Sequence, residues 1–300
     1  MPGSLSDISQ LRANLCTLLK AGRNADGGWA YQSGKRSRLE PTCWVLLALA
    51  QADSPSPDLE VLRRWPRTNG WMVDVAGAPP NNAFNALAAV TLLQSVSTGP
   101  LAEAIIRLVI ASKGIQLEPN PVARQDGGLQ GWSWTEGTFS WVEPTAWSVL
   151  VLKQRLVYGP YPDAAARIRV GEQMLKDREC EGGGWNYGNS NVYGQDLRPY
   201  VPTTALALLA LQDRRNDSVV RGLERLERDV VTERSAMALS LAVICLRIYG
   251  RPTAVPEEHL TKLVSERHVN AGLNDDLLGL AMALYALSDP PLTAFTLGSA

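Results

Sequence analysis

One phrase recurs three times in this chain and constrains its fold more than any other feature: a glycine-tryptophan turn, a polar loop, then a proline-threonine that opens an apolar helix. Asp26-Gly27-Gly28-Trp29 leads to Glu40-Pro41-Thr42-Cys43-Trp44 and Val45 to Leu49. Asp126-Gly127-Gly128, with Trp132 and Trp134 behind it, leads to Glu143-Pro144-Thr145-Ala146-Trp147 and Val149 to Leu152. Gly183-Gly184-Trp185 leads to Val201-Pro202-Thr203-Thr204 and Leu206 to Leu211. Asn69-Gly70-Trp71 before Asn82-Ala83-Phe84, and apolar segments opening near Glu233-Arg234-Ser235 and Asn274-Asp275-Asp276, bring the candidate repeats to six. Units that cannot bury their apolar faces alone must stack on one another, so the repeat decides the architecture first.

Each repeat opens with an amphipathic segment (Ile8 to Leu19, Leu59 to Trp65, Leu101 to Ile110, Ala164 to Leu175, Val219 to Leu226, Glu257 to Val264) and closes with the apolar one. The apolar segments are rich in Ala and Leu, which favour helix, and strand signals are almost absent. A helix apolar nearly all round is buried on most faces, and one with a charged face lies outside it. The pattern therefore predicts an all-α fold: an α/α toroid of six helical hairpins, inner and outer rings, forming a single domain over residues 1–300. Pro41, Pro144 and Pro202 suit the first turn of the inner helices, where a missing N–H has no partner to lose.

Hydrophobic content of 45% with 20% charged residues fits a large core, and a formal net charge of -1 gives no electrostatic case for nucleic acid. Cys16, Cys43, Cys180 and Cys245 lack paired spacing, which fits a reducing compartment. Met1 to Gln10 shows no basic-then-apolar leader pattern, and no apolar run approaches the roughly 18 to 20 residues that span a bilayer. The expectation is a cytoplasmic protein, with peripheral membrane contact left open.

The runs from Gly28-Trp29 to Ala48, Gly128 to Leu152 and Gly183-Gly184-Trp185 to Leu211 resemble the repeats shared by squalene and oxidosqualene cyclases and by protein prenyltransferase β-subunits. That resemblance implies an α/α toroid whose central cavity holds an isoprenoid chain or another apolar molecule. The prenyltransferase zinc ligands, an Asp-x-Cys pair and a distant His, are not intact: Asp177 and Cys180 are spaced Asp-x-x-Cys, and His259 and His268 lie near the C-terminus. No metal and no cofactor is expected. The cyclase motif Asp-x-Asp-Asp-Thr-Ala is also broken. Aligning its Thr-Ala on Thr145-Ala146 places Glu143 where the resemblance puts the proton donor, with Trp141 and Pro144 replacing the flanking aspartates. Glu40 has the same register in the first repeat, and Asn274-Asp275-Asp276 keeps only the central acidic pair.

Candidate catalytic residues are therefore Glu143, Glu40, Asp275 and Asp276. Each has a competing role at a helix start, where carboxylates suit the positive end of the dipole and Asn, Asp or Ser cap free N–H groups. Trp44, Phe84, Phe139, Trp141 and Trp147 fall on or just before inner helices and are candidate cavity aromatics, with core packing as the alternative. Arg36 and Arg38 are candidates for a polar headgroup, or for partners of Glu40 and Glu143.

The leading expectation is acid-initiated isoprenoid chemistry in the cavity. The alternatives are a non-catalytic toroid that binds an apolar ligand or a protein partner, and a carbohydrate-active α/α barrel. The last requires paired carboxylates flanking an aromatic-lined cleft.

Overall fold

The computed structural model describes residues 5–52, 58–119, 122, 124–269, 276–289 and 291–298, the side chains of 5–7 and 267–269 excepted. The six apolar segments form helices α2 (Leu39–Ala52), α4 (Asn82–Leu92), α6 (Val142–Val157), α8 (Val201–Ala210), α10 (Ala236–Ile248) and α12 (Leu277–Leu287). Each packs on the next, and α12 returns to α2, closing an inner ring. Before them in turn come α1 (Leu5–Ala21), the single-turn α3 (Glu60–Arg63), α5 (Gly99–Ala111), α7 (Ala164–Asp177), α9 (Asp217–Asp229) and α11 (Ala254–Val269). Apart from α3, these pack against the outside of the inner ring.

Burial follows the charge pattern. Every residue of α12 is buried, whereas α9 buries only Ser218, Val219, Gly222, Leu223 and Leu226, the stripe that one face of a helix presents.

The recurring phrase has a mechanical meaning, because in each copy a threonine hydroxyl of the inner helix holds the backbone of the loop tryptophan. Thr42 Oγ1 accepts from the Trp29 N–H (2.9 Å), Thr145 Oγ1 from the Trp132 N–H (3.0 Å) and Thr204 Oγ1 from the Trp185 N–H (2.9 Å). Each indole then turns back to a carbonyl near the end of the preceding outer helix. Trp29 Nε1 donates to Leu19 O (2.6 Å), Trp132 Nε1 to Val109 O (2.7 Å) and Trp185 Nε1 to Leu175 O (2.6 Å). One aromatic side chain thus ties an outer helix end to the next inner helix start by bonding a carbonyl of the helix's last turns.

The third copy differs from the sequence alignment by one residue. The clamping hydroxyl belongs to Thr204, so Pro202 takes the position that Glu40 and Glu143 hold in the first two copies.

Two of these tryptophans need space on an outer helix, and glycine supplies it, Gly171 for Trp132 and Gly222 for Trp185. A Cβ on Gly222 would stand 2.8 Å from the Trp185 ring and 3.1 Å from Leu208. Gly222→Ala is expected to cost about 1–3 kcal/mol, seen as a lower urea midpoint with an unchanged slope.

Two short hairpins depart from the strand-free expectation. Arg67–Thr68 (β1) pairs with Trp71–Met72 (β2), and Asn191–Val192 (β3) with Gln195–Asp196 (β4). Their two-residue turns are left-handed, Asn69 (φ 50) with Gly70 (φ 87) and Tyr193 (φ 53) with Gly194 (φ 72), the backbone that matches strand twist. The Tyr193 N–H donates to Val122 O (2.7 Å), joining the two long irregular loops that precede α6 and α8.

At the opposite end of the ring the C-terminal segment enters the barrel. Phe295, fully buried, stacks on Trp44 (5.3 Å) and meets Trp147 (5.8 Å) and Tyr285 (5.2 Å). Side-chain amides at the ends of the inner helices hold its main chain. Gln51 Nε2 donates to Asp289 O (2.8 Å) and Pro291 O (3.0 Å), Gln154 Nε2 to Ala294 O (2.8 Å) and Gln212 Nε2 to Phe295 O (2.8 Å). Gln212 Oε1 also accepts from the Leu297 N–H (2.9 Å). Among the described residues no helix is long and apolar enough to cross a membrane.

Candidate active site

The first internal hydrogen bond of each inner helix puts the six repeats in register. It runs from Thr42 to Arg38, Asn85 to Asn81, Thr145 to Trp141, Thr204 to Tyr200, Leu239 to Ser235 and Leu280 to Asp276. Two residues beyond these cap positions stand Glu40, Ala83, Glu143, Pro202, Met237 and Leu278. Six residues beyond them stand Trp44 and Trp147, whose rings meet edge to face across the barrel at 6.1 Å. Residues four apart share a helix face. Glu40 and Glu143 therefore point toward the barrel axis one turn above the touching tryptophans, the only carboxylates in that ring of six positions.

The electrostatics agree with that placement. Both glutamates are half-buried, with some surface accessible and dense protein around the carboxyl. Burial pushes Glu143 up to about 8, and the negative charge of Glu40 adds to the effect. Burial raises Glu40 to about 7; Asp74 pushes the same way, while a hydrogen bond from Tyr31 and the charge of Arg38 oppose. Tyr31 Oη donates to Glu40 Oε2 at 2.6 Å. No hydrogen bond or ion pair to Glu143 occurs among the described residues; its electrostatic neighbours are Glu40 and Tyr187.

Aromatic residues surround the opening. Phe139 and Trp141, both half-buried, lie 4.6 Å apart, and the exposed Tyr187 and Tyr200 lie 5.6 Å apart. Arg198 lies over the Tyr200 ring (5.7 Å). Met237, 39% exposed though it begins an inner helix, marks where the ring opens to solvent. Phe84 is half-buried against the core at the start of α4.

The remaining candidates are placed differently. Trp44 and Trp147 are 1% and 4% exposed and form a closed aromatic floor with Tyr285 and Phe295, so their ring faces are taken up by one another. Arg38 is engaged by Asp74, donating to it through Nε (2.6 Å) and through a terminal nitrogen, and its guanidinium lies 5.4 Å from the centre of the Tyr31 ring. Arg36 is exposed on the loop. Asp276 caps α12, accepting from the Gly279 N–H (2.9 Å), at the cap level rather than in the ring of the two glutamates. Asp275 lies outside the described residues.

Tyr31, Asp74, Tyr187 and Tyr200 were absent from the sequence candidates. A signal for Tyr31 and Tyr187 exists, because an aromatic stands two residues after each loop tryptophan: Tyr31 after Trp29, Trp134 after Trp132 and Tyr187 after Trp185. Their carbonyls play one role, accepting the first N–H of a neighbouring inner helix from Leu277 (2.9 Å), Asn82 (2.8 Å) and Val142 (2.9 Å).

No protein-family model and no curated protein sequence matches the chain. Among solved structures it is similar to the GH76A α-1,6-mannanase from Salegentibacter sp. HEL1_6, with a TM-score of 0.63 and 11% identity over 93% of this chain and 98% of that one. It is also similar to the β-1,3-1,4-glucanase from Paenibacillus sp. X4, with a TM-score of 0.62 and 10% identity over 96% of this chain and 92% of that one. The ent-copalyl diphosphate synthase from Streptomyces platensis follows at a TM-score of 0.51 and 16% identity, over 94% of this chain and 50% of that one.

The expected isoprenoid or other apolar ligand is overturned. Inactive variants of the mannanase hold α-1,6-mannotriose and α-1,6-mannotetrose. In this chain the axis along which an apolar chain would lie is filled by Trp44, Trp147, Tyr285 and Phe295. The resemblance to cyclase and prenyltransferase repeats holds at the level of architecture, and what the chain shares with the mannanase, the glucanase and the synthase is the α/α toroid.

Proposed function

We propose that the protein acts on a carbohydrate chain as a glycoside hydrolase, with Glu143 as general acid and Glu40 as its carboxylate partner. One observation carries the reading: two glutamates in equivalent positions of two repeats face the axis at an aromatic-rimmed opening, directly above the touching Trp44 and Trp147. Glycosidic bond cleavage asks for such a pair, one carboxyl holding a proton for the leaving oxygen and one ionised on the other side of the sugar ring. Glu143, with no hydrogen-bond donor among the described residues, is the carboxyl that keeps its proton. Glu40, with Tyr31 donating to it, is the one that loses it first. Phe139, Trp141, Tyr187 and Tyr200 offer flat faces for the apolar sides of sugar rings.

The ring closes only with all six hairpins, so residues 1–300 act as one unit in this proposal. The mannanase and the glucanase support the choice of substrate class by sharing this architecture.

The reading predicts a bell-shaped pH dependence. Below about 7 Glu40 takes up a proton and the base is lost. Above about 8 Glu143 gives up its proton and the acid is lost. Reducing-end release from α-1,6-mannan and from β-1,3-1,4-glucan, followed from pH 5 to 10, is expected to peak between these limits for the substrate that is cut. Retained binding with no release from either polymer would replace hydrolysis by a non-catalytic glycan-binding role.

A further inference from the structure

The first and second full copies of the recurring phrase both read Glu-Pro-Thr-x-Trp and bring Glu40 and Glu143 to the same height in the ring. Their surroundings differ at one structural position. Two residues after the loop tryptophan, the first copy has Tyr31 and the second has Trp134. The Tyr31 hydroxyl reaches Glu40 (2.6 Å), and nothing occupies that role for Glu143 among the described residues.

Tyr31 is itself firmly placed. Its carbonyl accepts the Leu277 N–H at the start of α12, and Arg38 lies over its ring. Arg38 is in turn held by Asp74, whose other oxygen accepts from the Leu39 N–H (3.0 Å). The chain from Asp74 through Arg38 and Tyr31 to Glu40 is built entirely from the first repeat and the segment after it. Among the described residues, the titratable and charged groups facing Glu40 are Tyr31, Arg38, Asp74 and, from α6, Glu143. At this level α4 presents Ala83 and α12 presents Leu278.

We propose that Tyr31 is the positioning residue that makes two equivalent glutamates unequal, holding Glu40 as the carboxylate that ionises first and leaving Glu143 as the proton donor. A hydroxyl can donate to a carboxylate but gains little by donating to a protonated carboxyl that must also place its own hydrogen, so the bond favours the ionised form. Burial raises the Tyr31 phenol, and the charge of Glu40 raises it further, so it remains a donor across the working pH range. The catalytic meaning of this assignment rests on the carbohydrate reading; the order of ionisation does not.

The test is Tyr31→Phe, which keeps the ring and the carbonyl bonded to Leu277. The two carboxyls are titrated directly by NMR in full-length protein labelled at the glutamate carboxyl carbons. The expected result is that Glu40 moves to higher pH by about one unit while Glu143 moves much less. The acidic limb of the pH–rate profile should shift with Glu40 at unchanged KM, and the basic limb should stay in place. Tyr31→Trp, which installs the residue of the second copy, should reproduce the shift and serves if the Phe variant does not fold. Unchanged Glu40 titration in a folded variant, or equal movement of both carboxyls, would overturn the assignment. A Glu40 shift in a protein that cuts no glycan would support Tyr31 as the positioning residue and remove the hydrolase reading.

Discussion

Glu143→Gln is expected to lower glycan hydrolysis by about 10²–10⁴-fold, with little change in KM, because the amide fills the same space but cannot deliver a proton to the leaving oxygen. The effect should be larger for poor leaving groups than for an activated aryl glycoside, whose leaving oxygen needs no proton. Comparing the two substrate types separates loss of the acid from general damage to the site.

The same substitution has a stability signature of definite sign. In the folded protein Glu143 titrates at about 8 against an ordinary 4.5, so the folded state holds a proton that the unfolded chain has released. That contribution is fully present below about 4.5 and is lost as pH rises through about 8. Wild-type stability should fall across this window, and Glu143→Gln, which cannot ionise, should flatten the fall. Urea midpoints at pH 4.5 and pH 8.5 measure it. The variant should gain on the wild type at the higher pH.

Phe295→Ala is expected to destabilise the fold by about 3–5 kcal/mol, the cost of removing a buried aromatic side chain and leaving a cavity. The ring of Phe295 fills the axis between Trp44, Trp147 and Tyr285, contributed by α2, α6 and α12, so its loss weakens three inner helices together. A lower urea midpoint with an altered tryptophan emission spectrum is the readout. An unchanged midpoint would mean that the neighbouring tryptophans close over the gap at no cost. Phe295 is far along the chain from α2 and α6, and no local pattern around it marks it as a core residue. Its burial results from closure of the ring, which leaves an axial hole that the tail is long enough to reach.

Much of the candidate site was legible because it repeats. Glu40 and Glu143 were identifiable from a shared register, and the i, i+4 spacing to Trp44 and Trp147 already places each carboxylate over a tryptophan on the same helix face. The consequence of meeting was not legible. Trp44 and Trp147 are also the residues for which a cavity-lining role was expected, and they instead fill the floor, since two large rings brought to one axis occupy the space that either alone would leave open. Asp276 shows the opposite relation: its capping of α12 is a local matter of a carboxylate beside a free N–H, and sequence could offer that alternative without knowledge of the fold.

The third copy of the phrase marks where pattern matching alone goes wrong. Pro202-Thr203 looks like Pro41-Thr42, but Thr204 makes the clamp, so a one-residue shift removes the carboxylate position from α8. Consecutive threonines made both alignments acceptable to the eye, and only the hydrogen bond to the Trp185 N–H distinguishes them.

The sequence by itself determined the helices, their inner or outer placement, the six-fold hairpin order and the two glutamates, because these depend on residues within a turn or two of one another. Tertiary structure alone decided that the charge of Glu40 acts on Glu143, that Tyr31 donates to Glu40, and that Phe295 fills the axis. The first and last of these join residues from separate repeats, which ring closure brings within reach of one another; the Tyr31–Glu40 bond lies within one repeat and depends on the path of the loop between them.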